Sequence, residues 1–510
     1  MIPKQNIPCI TAIAALIFLA CSSVTVAVTP AKIFSDHMVL QRDASVPLWG
    51  KADAGSAVTV AFAGQAVTGK ADEEGRWKLK LAPMKASTKG RSVEISSGDQ
   101  RVEIQDVLVG DVWFAGGQSN MDYKVKGMAR RLAEGKALAD EANYPAIRHR
   151  KVNERNAAVP QSDLNGGSWV VCTPKTVHGF SGVAFVFARR LHLELKIPIG
   201  VIDCAWGGTP IEPYVPASAF KGHPTLVKLA ALAKAGDFDA IKKMPGGTFV
   251  RSPAWLVGAI YNGRIAPVAP YGICGAIWYQ AESNCGRGED PRDYRHKQRA
   301  LVQGWRKAWN NENLPFFYVQ LPQWRSYAWT YAREEQLQAM AVDGTGMAVT
   351  IDLDNANDIH PPNKIDVGER LARWPLAKIH GKKIPFSGPL FRDAKMRDAE
   401  VVVRFDYAKD GLMVGHLEGV GEIIEAKDGA LNGFELVGED GVWHPAKAKV
   451  VEQTVLVKSL SVKQPVAVRY ACHPEASKEN PWNLYNKAGL PASPFCSDWS
   501  KMPYDPAKNP

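Results

Sequence analysis

After residue 27 the 510-residue chain has no apolar run long enough to cross a bilayer as a helix, which excludes a polytopic membrane protein. It has no Cys-x-x-Cys pair and none of the His/Cys spacing that a structural zinc site needs. Repeats of fixed period and low-complexity tracts are absent as well, so a solenoid or a disordered spacer is excluded. The net charge of +10 is spread along the chain with no aromatic-interleaved basic stripe, and no nucleic-acid partner is expected. With 22% charged and 46% apolar residues the composition is that of a soluble globular protein.

What is present begins with a leader-like segment. Lys4, the apolar stretch from Ile10 to Ala20 and small residues beyond it read as a signal peptide over residues 1–27. Cleavage after Ala27 competes with processing before Cys21, where a lipid anchor could be attached, and plain export is the favoured reading: periplasmic, cell-surface or extracellular. Six cysteines follow, with local pairings expected for Cys274 with Cys285 and for Cys472 with Cys496.

At this length two or three domains are expected. Short β-prone runs separated by Gly55, Gly64, Gly75 and Gly98 predict a β-sandwich over residues 28–104. From 105 to 384 apolar strands alternate with helical stretches, among them Val183 to Leu195, Tyr294 to Trp309 and Arg333 to Ala341. That alternation predicts an α/β domain whose parallel sheet is covered on both faces. Residues 385–510 return to strand-like runs and predict a β-rich region that completes the fold. Residues 217–252 interrupt the pattern as a helical excursion or a loop over the site.

Three islands carry chemistry: Gly116-Gly117-Gln118-Ser119-Asn120-Met121, Trp278-Tyr279-Gln280-Ala281-Glu282-Ser283-Asn284 and Asp358-Ile359-His360-Pro361. Two glycines let a strand bend sharply before Ser119, and a serine opening a helix lies beside backbone N–H groups that have no intrahelical acceptor. Each island follows or ends a strand, where ligands sit in open α/β sheets. A serine, polar donors and a histidine are the parts of acyl transfer. Met121 stands where the nucleophile elbow Gly-x-Ser-x-Gly has its second glycine, which disfavours an α/β-hydrolase fold.

The order serine first, histidine last resembles that of the SGNH, or GDSL-like, hydrolases. Within them the wording from Gly110 to Met121 is similar to that of the sialate O-acetylesterase family. Trp206-Gly207-Gly208-Thr209-Pro210-Ile211-Glu212, Tyr261-Asn262-Gly263, Asn483-Leu484-Tyr485-Asn486 and Gly489-Leu490-Pro491 extend the resemblance over roughly residues 30 to 498. It implies an SGNH-type, flavodoxin-like catalytic domain, with Ser119 as nucleophile and His360 as base. For the oxyanion hole it implies the Ser119 N–H, a glycine of the 207–208 pair with Gly208 preferred, and an amide from Asn284 or Gln280. SGNH hydrolases usually carry the orienting carboxylate three residues before the histidine, where this chain has Asn357. Asp358 ranks first in its place, followed by Asp354 and Asp352, with a backbone carbonyl as the remaining option. Ala281 replaces the glycine usual in the family, which matters only if its φ is positive.

Other readings of the same residues are weaker. Asp352-x-Asp354 opens like a calcium loop, but Asn357 and Asn363 occupy the positions of the glycine and the bidentate glutamate. Glu212 and Glu282 could pair as in a glycosidase, which would leave the serine and histidine islands unexplained, so both are expected to be buried supporting groups. Trp206, Trp278 and Tyr279 are expected in the core. Together with these residues the resemblance implies an exported serine esterase acting on O-acetylated carbohydrate, as sialate O-acetylesterases do, with no metal and no organic cofactor required. A xylan-type polysaccharide deacetylase and a carbohydrate-binding protein without turnover are the alternatives.

Overall fold

The computed structural model describes residues 27–153, 155–221, 223–244, 256–286, 289–353, 357–477 and 480–508. Residues 1–26 of the leader, with Cys21, and Asp354 lie outside these residues, as does part of the 217–252 excursion.

The central sheet runs in the order Val170–Cys172, Tyr144–Lys151, Ile199–Asp203, Gln100–Gly117, Gly275–Tyr279, Phe316–Val319, Thr345–Ala348. All neighbours are parallel except the first pair. Without the outer Tyr144–Lys151 and Val170–Cys172 strands the order is the doubly wound 2-1-3-4-5, and Gln100–Gly117 lies at its switch point.

Alternation along that strand shows how the sheet is covered. Trp113 meets Phe187 of helix Gly182–Leu195, with ring centroids 5.0 Å apart. Its neighbour Phe114 faces the opposite layer and meets Trp305 of helix Tyr294–Ala308, also at 5.0 Å. Helix Lys364–Lys378 packs beside Gly182–Leu195, its Trp374 stacked 6.2 Å from Phe317. Strands buried on both faces read as continuous apolar runs, which is why Val112 to Ala115 and Gly275 to Tyr279 show no polar alternation.

The N-terminal region forms two small β-layers. Thr29–Pro30, Val46–Lys51 and Arg76–Leu81 make one, and Ala57–Phe62, Gln65–Lys70 and Ser87–Ser97 the other. The second layer shares a strand with the central sheet: Gln100–Gly117 pairs with Ser87–Ser97 first and then enters the parallel sheet. The expected boundary between residues 104 and 105 thus falls inside one 18-residue strand. Beyond helix Lys364–Lys378 three small antiparallel sheets complete the chain. They grip the region of the parallel sheet through side chains, as when the Tyr485 hydroxyl donates to Asp352 at 3.2 Å and Gln320 donates to Ser493 at 2.9 Å.

Part of the 217–252 excursion is helical, over Pro224–Ala235 and Phe238–Lys242. The expected disulfides do not form. All six described cysteines are free, and Cys285, Cys472 and Cys496 each direct the thiol at a backbone carbonyl, those of Ala281, Phe495 and Asp498.

Candidate active site

Strand Gln100–Gly117 ends in a bend that only glycine accommodates. Gly117 has φ 132°, and a Cβ there would lie 2.1 Å from the Tyr279 carbonyl oxygen. The chain then starts the short helix Ser119–Asp122, which leaves Ser119 half-buried at the carboxyl edge of the sheet.

His360 arrives from the loop after Thr345–Ala348, and its Nε2 lies 2.7 Å from Ser119 Oγ. Two islands 241 positions apart thus meet at hydrogen-bond distance. Burial lowers the His360 pKa below the ordinary histidine value, nearby Lys364 and Arg131 lower it further, and Asp358 opposes them. The neutral imidazole, which can accept the serine proton, therefore persists at lower pH than a solvated histidine would allow.

Among the described residues, the two candidate carboxylates have other duties than the His360 ring. Asp358 Oδ1 accepts the backbone N–H of His360 at 2.8 Å, and Oδ2 pairs with Arg131 at 2.6 Å. Among the described residues Asp358 makes no hydrogen bond to the imidazole, which corrects its expected contact. A two-residue spacing lets the carboxylate close an Asx-type turn on the backbone instead. Burial raises the Asp358 pKa, but the His360 N–H and Arg131 outweigh it and hold the carboxyl below the usual range. Asp352 is committed elsewhere: Arg370 grips both oxygens, at 2.6 and 2.8 Å.

The loop bearing Gly207 and Gly208 is fastened next to the serine. The Gly117 carbonyl accepts the Trp206 N–H at 3.0 Å and the Tyr214 hydroxyl at 2.7 Å, while Thr209 Oγ1 donates to the Trp206 carbonyl at 2.6 Å. Lys151 joins the Ser119 helix to the base of this loop, bonding Asp122 at 2.6 Å and the Ala205 carbonyl at 2.7 Å. A Cβ on Gly207 would lie only 3.6 Å from Ser119 Cβ, and Gly208 has φ 73°. Gly207 thus lies next to Ser119, at a distance where a Cβ would be in van der Waals contact.

The expected amide donors are placed differently. Asn284 Nδ2 donates to both Glu212 oxygens at 3.1 Å and to Glu289 at 3.2 Å, and its Oδ1 accepts the Ile211 N–H at 2.9 Å. Gln280 Nε2 is spent on Gln118 Oε1, the Thr209 carbonyl and Asn284 Oδ1. Both amides therefore tie down the glycine loop from beneath and leave no donor for an oxyanion, a correction to the expected hole. Gln118, between Gly117 and Ser119, uses its Oε1 for Gln280 and the Ser283 N–H, and its Nε2 makes no hydrogen bond among the described residues. Glu212 and Glu282 are buried, as expected of supporting groups, and so are Trp278 and Tyr279. Trp206 is half-buried over the Arg264 guanidinium at 5.3 Å.

Ala281 has φ 146°, a region that L residues rarely adopt, so the departure from glycine at this position is strained. Its carbonyl accepts the Asn284 N–H at 2.9 Å, which holds the conformation in place. Ala281→Gly is expected to stabilise the protein by about 1 kcal/mol. Urea unfolding checks this, since an unchanged or lower midpoint would show that the backbone bears no strain there.

A family model described as a carbohydrate esterase, sialic acid-specific acetylesterase, matches residues 109–376. Sialate O-acetylesterase of Rattus norvegicus is 27% identical, with 91% of this chain and 93% of the relative covered. The Homo sapiens protein of the same name is 29% identical over 71% of this chain and 73% of its own length. Among solved structures, a carbohydrate acetylesterase from Xanthomonas citri is 32% identical with a TM-score of 0.80, covering 92% of this chain and all of that one.

Proposed function

This chain belongs to the carbohydrate esterase family of sialic acid-specific acetylesterases, and on that premise we propose that it is an exported serine esterase hydrolysing O-acetyl esters on carbohydrate, as sialate O-acetylesterases do. The observation that carries the reading is the 2.7 Å contact between His360 Nε2 and Ser119 Oγ beside a glycine loop.

Ser119 Oγ attacks the acetyl carbonyl as its proton passes to His360 Nε2. The Ser119 N–H and the N–H of Gly208 hold the oxyanion, with the uncommitted Gln118 amide as third donor. Collapse breaks the bond to the sugar oxygen, which takes the proton from His360. Water then loses a proton to the same imidazole and attacks the acetyl-serine carbon, the bond to Ser119 Oγ breaks, Oγ takes that proton back from His360, and acetate leaves. No step requires a metal or an organic cofactor.

Asp358 acts in this scheme through the His360 backbone and not through its ring. Asp358→Asn is therefore expected to lower kcat about tenfold or less, against roughly 10,000-fold for a carboxylate that orients the imidazole directly. Steady-state kinetics on an acetyl ester separate the two.

Export rests on the leader-like first 27 residues. Among the described residues no helix is long and apolar enough to cross a membrane. The division into an N-terminal β-domain, an SGNH-type catalytic domain and a C-terminal β-rich region follows the change of texture along the chain. The acetate released by the purified protein from O-acetylated sialic acid and from acetylated xylan tests the function. Release from the sialate supports the reading, release from xylan alone makes the chain a polysaccharide deacetylase, and binding without release makes it a carbohydrate-binding protein.

A further inference from the structure

Between the serine and histidine islands lies a buried polar cluster that the reaction scheme does not use. Asn120, with no exposed surface, follows the nucleophile directly. Its Nδ2 donates to Glu282 Oε1 at 2.7 Å and to the Ile359 carbonyl at 2.9 Å, the carbonyl immediately before His360. Its Oδ1 accepts from Lys364 Nζ at 2.6 Å. Lys364 is likewise fully buried, in the first turn of helix Lys364–Lys378, with its ammonium 5.2 Å from the Tyr123 ring and 5.5 Å from that of Tyr279.

A buried ammonium and a buried carboxylate are costly, and stability alone would be served as well by apolar side chains of the same volume. Here an amide joins the two charges, and the same amide ties the helix carrying Ser119 to the loop carrying His360. Resting on the serine esterase reading, we propose that Asn120 and Lys364 are positioning residues for His360, Asn120 setting the register of the histidine loop against Ser119 and Lys364 supplying a fixed positive charge that Asn120 links to the carbonyl preceding His360.

The consequences differ for the two residues. Asn120 governs the distance across which the proton moves, and a displacement of about 1 Å in such a site costs on the order of 100-fold in rate. Lys364 disfavours the imidazolium, which extends the neutral base to lower pH. Among the described residues the other charges facing His360 are Asp358, which opposes Lys364, and Arg131, which adds to it. Glu282, across Asn120, is itself pushed up by burial, with Asn120 and Lys364 pulling it back.

Lys364→Gln removes the charge but keeps a donor for Asn120, and Lys364→Arg keeps the charge. The experiment follows kcat/KM against pH for wild type, both Lys364 variants and Asn120→Ala on a chromogenic acetyl ester. In parallel, the rate at which diethyl pyrocarbonate modifies His360 is measured against pH by peptide mass spectrometry, a readout independent of turnover. The acidic limb of both profiles is expected to move to higher pH in Lys364→Gln and to stay near wild type in Lys364→Arg. Asn120→Ala is expected to lose about 10- to 100-fold in kcat with KM within about threefold. A His360 profile identical in wild type and folded Lys364→Gln would overturn the role of Lys364, and a kcat within twofold of wild type in Asn120→Ala would overturn that of Asn120. Wild type inactive on every acetyl ester would refute the esterase reading, while the modification profile would still judge the placement of the charge.

Discussion

Ser119→Ala is expected to lower kcat by about 10,000- to 1,000,000-fold, with the fold intact. The nucleophile is one oxygen atom, and nothing else in the scheme can carry the acetyl group. The residual rate is what the oxyanion donors and substrate binding provide without covalent catalysis. Stability should hardly change, because Ser119 is only half-buried and its Oγ gives up a single hydrogen bond, to His360. Acetate release and a thermal melt on the same preparation separate lost chemistry from lost structure. Substantial turnover in a folded Ser119→Ala would remove the acyl-enzyme from the mechanism.

Lys297→Met is expected to cost about 3–5 kcal/mol of stability, the penalty for removing one partner of a buried ion cluster. Lys297 is almost wholly enclosed, with Nζ 2.7 Å from Glu212, 3.4 Å from Glu289 and 3.8 Å from Asp293. Burial disfavours the ammonium, but Glu212 and Glu289 outweigh it, so the lysine stays charged. Methionine would fill the space and take away the ammonium that Glu212 and Glu289 share. Glu212 lies at the end of the Gly207–Gly208 loop and accepts from Asn284, so the loss reaches the oxyanion side of the site as well as the core. Adding Glu212→Gln to Lys297→Met should recover part of the stability, because one uncompensated charge is then gone. Urea unfolding of the single and double variants reads both effects, and a single variant within 1 kcal/mol of wild type would show that the cluster is not an ion-paired core.

The parts of the site that could be read from the sequence are those whose chemistry is local. Gly116-Gly117 before Ser119 is a strand-to-helix bend in the sequence and in the structure, and helices foreseen at Val183 to Leu195 and Tyr294 to Trp309 appear within a residue at each end. The donors of Gln280 and Asn284 could not be assigned this way. Their acceptors include Gln118 and Glu212, 162 and 72 positions away, and no local pattern reveals that a buried carboxylate has claimed an amide. Asp358 misleads for a related reason. A carboxylate two residues before a histidine, in place of the three usual in the family it resembles, reaches the backbone more readily than the ring, so the expected triad contact is a loop clamp in the structure. Asn120 belongs to the serine island, and nothing local in the sequence singles out Lys364. What joins them is a tertiary contact across 244 positions, which composition and periodicity do not encode.

The most direct test of the central claim, that Ser119 is a nucleophile activated by His360, is labelling with a serine-reactive organophosphonate followed by peptide mass mapping. The structure predicts one adduct, on Ser119, formed in step with loss of acetate release and greatly slowed in His360→Gln. An adduct on another residue, or acetate release that continues after Ser119 is fully modified, would contradict it.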